Sequence, residues 1–229
     1  MRQLLLWSLW CLASLAGAQV PLKVAVDAFN PPFMYADAQG QAQGLYVDQL
    51  RALATRSGMA LEITPMPWKR ALAGLDTGAH AVAGIYANPE RQARYLYSLP
   101  LHREVLAVYA RKSDGRPRYT QLSDLFDRRV GVLSGWFYSE SFTQARQAGW
   151  IDVEEVSRDI QNVDKLRLGR LDYLIGIRES IEPFMGNHLE PVGVFAVQLT
   201  YLALPRTPAH ARWLARLNPH IPALSPMVP

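Results

Sequence analysis

The sequence predicts an α/β protein of two lobes, each a small, mostly parallel sheet with flanking helices, joined by two hinge crossings of the chain. Strand-like and helix-like stretches alternate through residues 22–86. A polar breaker, Ser113-Asp114-Gly115-Arg116-Pro117, then interrupts the chain, and a second alternation runs over residues 122–184. Finally a strand-like run at 192–204 and a helical pattern at 209–217 carry the chain back to the first lobe.

Taken in order, residues 22–26 read as a strand, and residues 27–35 as a Pro-rich loop carrying Phe29, Phe33 and Tyr35. Residues 45–57 are helical, with Val47, Leu50 and Ala54 on one face and Gly58 as the stop. A strand at 61–64 leads to a helix at 68–77, where Trp68, Ala71, Leu72 and Leu75 recur at helical spacing. The strand at 81–86 completes a βαβαβ unit, whose parallel strands need helical crossovers. After a strand at 102–112 and the breaker, the second lobe reads as a short helix at 122–126, a strand at 130–133, a helix at 139–147, a strand at 152–156, a helix at 160–168, a strand at 173–177 and a helical turn at 179–184. The expected division is residues 19–110 with 196–229 for one lobe and 111–195 for the other. A hinge between two such lobes is the geometry of closure around a solute.

Residues 1–18 open with Arg2, continue with an apolar stretch and end in Ala16-Gly17-Ala18, the pattern of a cleavable signal peptide. A periplasmic protein beginning at Gln19 is expected, with no membrane insertion after cleavage. Cys11 would leave with that segment, so neither a disulfide framework nor thiol catalysis is expected. Across the whole chain 24 basic residues face 20 acidic ones, for a formal charge of +4. The basic residues are scattered rather than interleaved with aromatics, which argues against a nucleic-acid partner. The five histidines lack ligand spacing, so no metal site is expected. Gly131-Val132-Leu133-Ser134-Gly135 misses the nucleophile elbow by one position, and no phosphate loop or dinucleotide fingerprint is present. No cofactor and no catalytic residue are assigned on these grounds.

The chain is organised around Gly84 to Leu101, GIYANPERQARYLYSLPL. An apolar strand ends at Asn88-Pro89, where Asn88 fits a helix cap and Pro89 the first helical position. Unpaired amides there favour an anion, and Arg91 adds a bidentate fork for a carboxylate. The local pattern alone equally suits a solvated surface arginine, the commoner fate of a charge. In open α/β sheets ligands lie beyond the carboxyl ends of strands. Those loops hold Asp27, Phe29, Asn30, Phe33, Trp68, Tyr86, Trp136 and Tyr138. Their aromatic rings suit the wall of a small-molecule pocket.

The run Gly84, Ile85, Tyr86, Ala87, Asn88, Pro89, Glu90, Arg91, followed by Tyr97, Ser98, Leu99, Pro100, resembles the extracytoplasmic solute-binding proteins of family 3, which feed polar amino acids to ABC importers. A weaker match extends from about Leu22 to Leu217. The resemblance implies a monomeric, bilobal binding protein with a small-molecule ligand and an ABC permease as partner. It implies that Arg91 holds the ligand carboxylate, and that Gly84 and Tyr86 offer backbone groups and a hydroxyl. Tyr86 stands where a small Ser or Thr is usual. The Gly-Thr pair of the second lobe stands here as Gly135-Trp136, and the acidic residue for an ammonium stands as Ile177, with Glu179 two residues on as a substitute. A carboxylate-bearing, amino-acid-like solute is therefore expected. The alternatives are a lyase resembling cyclohexadienyl dehydratase, with Glu179 as general acid, and a sensory or partner-binding module.

Overall fold

The computed structural model describes residues 20–116 and 118–224. The expected signal peptide and the terminal Pro226-Met227-Val228-Pro229 lie outside the described residues.

The first half begins with β1 (Leu22–Asp27), which runs into three very short strands, β2 (Phe29–Asn30), β3 (Met34–Ala36) and β4 (Ala42–Gln43). These pair antiparallel into a separate three-stranded strip, where the sequence predicted only a loop. Helix α1 (Leu45–Ser57) follows, and Gly58 closes it in the left-handed conformation at φ 62°. Next come β5 (Leu61–Met66), α2 (Trp68–Asp76) and β6 (Ala81–Tyr86). Strand β1 pairs in parallel with β5 on one side and β6 on the other. Strand β6 is buried at every residue, as befits a central strand covered on both faces. Helix α3 (Pro89–Arg94) is capped by Asn88, whose side chain accepts from the Arg91 amide at 2.7 Å. A short β7 (Tyr95–Tyr97) leads to β8 (His102–Arg111).

The second half contains β9 (Arg129–Leu133), α4 (Glu140–Gln147), β10 (Asp152–Val156), α5 (Asp159–Arg167), β11 (Tyr173–Ile177) and α6 (Arg178–Met185). Strand β12 (Leu189–Pro205) and α7 (Pro208–Leu217) complete the chain. The strands run in the order β10-β9-β11-β8-β12-β6-β1-β5. Pairing is parallel among β5, β1 and β6 and among β10, β9 and β11, in keeping with the mostly parallel sheets predicted. It is antiparallel where β8 and β12 meet them. The antiparallel pair β8 and β12 joins the halves into one continuous sheet.

Burial follows the strand period of two. Along β8, Leu106, Val108 and Ala110 enter one apolar cluster of the second half, while Ala107 and Tyr109 enter the cluster on the other face. A third cluster, with Val24, Val26, Leu50, Leu75 and Ile85, fills the first half. The polar breaker is tied down by ion pairs. Asp114 takes Arg111 at 2.5 Å and Arg116 at 3.5 Å, and Asp172 takes Arg116 at 2.7 Å.

Candidate functional site

The site is built where loops at the strand ends of the two halves meet. Arg91, on α3 of the first half, donates from Nη2 to the carbonyl of Gly135 in the second half at 3.0 Å, and from Nη1 to the carbonyl of Tyr86 at 3.3 Å. Trp68 Nε1 donates to the same Gly135 carbonyl at 3.3 Å. Burial pushes the Arg91 guanidinium below its ordinary range, and among the described residues it forms no ion pair. The neighbouring Arg94 takes the carboxylates of Asp76 and Glu90 instead.

Trp136 reaches from the second half between two rings of the first. Its centroid lies 5.7 Å from that of Trp68, and 5.3 Å from that of Tyr86 in an edge-on contact. Tyr86 is buried and donates its hydroxyl to Glu104 on β8, and Tyr46 on α1 donates to the other oxygen of the same carboxyl. Glu104 is 0 % exposed. Burial pushes it up to about 7 although both tyrosine hydrogen bonds pull the other way. Phe33 packs on Tyr46 and His102 at 5.1 and 5.7 Å, so it belongs to the packing behind the cleft. Gly84 has φ +78°, and a Cβ there would come within 2.6 Å of Met34 Cε and 3.1 Å of Tyr46 Cδ2. Its small size is what lets Tyr46 reach Glu104.

Asp27 ends β1, 2 % exposed, and its Oδ1 accepts from the Phe29 amide at 3.0 Å. Asp159, at the start of α5, is equally withdrawn from solvent. Burial pushes both carboxyls up to about 7, and the charge of Asp27 raises Asp159 further. Asn30 accepts from Ser180 Oγ at 3.1 Å, which binds the two halves across β2 and α6. Two cavities open between the halves. One, of about 270 Å³, is lined by Asp27, Phe29, Trp68 and Trp136 among others. The second, of about 440 Å³, is lined by Phe29, Tyr35, Asp159, Ser180 and Phe184 among others.

The structure thus gathers Asp27, Phe29, Trp68 and Trp136 around one cavity. It places Arg91 and Gly135 in a bond across the halves, and Gly84, Tyr86 and Phe33 in the packing beneath. Ile177 is buried against the first-half core. Glu179 is exposed at the start of α6 and lines neither of these two cavities. Glu104, Tyr46 and Asp159 are absent from the sequence-based site. Glu104 shares the parity of Leu106, Val108 and Ala110 along β8, and that alternation marks it as an inward-facing carboxylate.

The family model for bacterial extracellular solute-binding proteins, family 3, matches residues 22–216. A probable amino-acid ABC transporter-binding protein of Haemophilus influenzae is 21 % identical over 169 residues, covering 73 % of this chain and 63 % of that protein. A membrane-bound lytic murein transglycosylase F of Ectopseudomonas mendocina is 27 % identical over 150 residues, covering 62 % of this chain and 30 % of that protein. The chain therefore spans less than two thirds of the length of either curated relative. Among solved structures, a histidine kinase sensor domain with similarity to periplasmic binding proteins superposes with a TM-score of 0.78 at 22 % identity, covering 89 % of each chain. That likeness carries the two-lobed fold alone. With the family model matching most of its length, the chain belongs to the bacterial extracellular solute-binding proteins, family 3.

Proposed function

We propose that the protein captures a small carboxylate-bearing, amino-acid-like solute between its two lobes, residues 19–110 with 196–229 and residues 111–195. It acts as a monomer in the periplasm, after signal cleavage, and delivers the solute to an ABC importer. The observation that carries this reading is Arg91, a half-buried guanidinium bonded to two neutral carbonyls and, among the described residues, to no carboxylate. Carbonyl dipoles compensate a half-buried cation poorly, and an incoming carboxylate is the stronger partner. Parting of the lobes breaks the bond to Gly135 and frees the guanidinium for that partner. Binding then shifts the population toward the closed form.

Thermal stability of the protein and of Arg91→Ala, measured against amino acids, dicarboxylates and aromatic acids, tests the reading. A specific ligand at a hundred times its dissociation constant adds roughly 2.7 kcal/mol. Stabilisation of the wild type by one carboxylate, lost in Arg91→Ala, supports it, and stabilisation retained in Arg91→Ala overturns it. A second reading, a lyase on the same scaffold, is favoured by Asp27 and Asp159, whose carboxyls are held at about 7 beside the cavities. Turnover of whichever ligand binds separates the two.

A further inference from the structure

Asp159 borders the cavity of about 440 Å³ at 6 % exposure, and its Oδ1 is buried without a hydrogen-bond partner. Every element around it leaves it unpaired. Asp27, facing it from the end of β1, is a second acid and adds repulsion. Ser180 on α6 turns its hydroxyl to Asn30. Arg158, the preceding residue, is exposed, lays its guanidinium on the Phe29 ring at 4.3 Å, and forms no ion pair among the described residues. A buried carboxylate without a cation or donor is costly, and the cost disappears when a ligand supplies both. Arg158 and Asp37 also line the cavity, Asp37 with its carboxylate taken by Gln39, Gln41 and Gln43. The rest of the wall is mostly apolar and aromatic, with Phe29, Tyr35, Ile160 and Phe184. Such rings suit the chain of an organic cation and attract its charge.

We infer that this cavity binds an organic cation, a primary ammonium or guanidinium head on a short apolar chain, with Asp159 as its counter-ion. The inference rests on the solute-binding reading and adds to it a positive group, held at a place separate from Arg91.

Cadaverine, agmatine, lysine and hexanoate separate the two contacts, because the first two carry no carboxylate and the last carries no cation. Melting temperatures and calorimetric titrations at pH 8 compare the wild type with Asp159→Asn and Arg91→Ala. Cadaverine or agmatine is expected to stabilise the wild type and Arg91→Ala, and to bind Asp159→Asn at least about tenfold more weakly. Without ligand, Asp159→Asn should melt above the wild type, since the unpaired charge is gone, and that result certifies its fold. Equal binding of the diamine by Asp159→Asn overturns the inference, as does the failure of both amines to bind the wild type. If hexanoate or lysine stabilises through Arg91 while neither carboxylate-free amine binds, the carboxylate reading stands and the cation site falls. If no probe binds, both fall.

Discussion

Tyr46 and Tyr86, forty residues apart on a helix and a strand, donate their hydroxyls to the two oxygens of one buried carboxyl, Glu104. Because Glu104 lies on β8, one of the two strands that join the halves, this network ties the first half to the crossing itself. A buried acceptor that loses its donor keeps its desolvation cost and recovers nothing.

Tyr86→Phe should therefore destabilise the protein by about 1–3 kcal/mol at pH 8, where Glu104 carries its charge. At pH 5 the carboxyl is protonated, and the loss should shrink. Urea denaturation at the two pH values reads the difference. An equal loss at both would show that the hydroxyl does not act through the carboxylate.

The ligand-free protein should lose stability as the pH rises from about 4 to about 7. Asp27, Asp159 and Glu104 are each pushed up to about 7 by burial, from ordinary values of 3.8, 3.8 and 4.5. The folded state thus holds more protons than the unfolded one across that window, so stability falls with pH. For one such aspartate the change is at most roughly 4 kcal/mol. Asp114 and Asp172 act in the opposite sense, since their arginine partners lower them and their contribution is lost on acidification. Melting curves between pH 4 and pH 8 should slope downward in the wild type and less steeply in Asp159→Asn, where Asp27 and Glu104 still titrate. A wild-type curve that rises through this window would contradict the burial of these carboxyls.

Gly84→Ala should cost about 2–4 kcal/mol, combining a left-handed backbone with contacts that displace Met34 and Tyr46. Adding Met34→Ala relieves the shortest contact but neither the φ of +78° nor the approach to Tyr46. Recovery should be partial, as read by thermal melts of the single and double variants. Complete recovery would mean that the backbone at Gly84 is unstrained.

Local chemistry explains which parts were legible in the sequence. Helix α1 shows as a periodic run stopped by Gly58, and α3 as Asn88-Pro89, because caps and breakers act within a few residues. The strip of β2, β3 and β4 escapes notice because strands of two or three residues carry no period. In the site, aromatic and charged residues at strand ends brought Asp27, Phe29, Trp68, Arg91 and Trp136 into view. The partnership of Tyr46 with Glu104, and the approach of Asp27 to Asp159, depend on residues 58 and 132 positions apart. Only the folded chain brings such residues together.

Trp136 offers the sharpest separation of wall from plug. The family resemblance leads one to expect a small hydroxyl residue at this position, beside Gly135, whose carbonyl holds Arg91. The indole instead meets Trp68 and Tyr86 across the halves. Each aromatic pair contributes about 0.5–1.5 kcal/mol beyond its buried area, so Trp136→Thr should lower the melting temperature. The same substitution empties space near the Arg91 guanidinium and supplies a hydroxyl donor, so affinity for a carboxylate should rise severalfold as stability falls. Calorimetric titration of the variant decides between the two roles. Weaker binding would make the indole a contact of the ligand, and stronger binding would make it a latch that the solute has to displace.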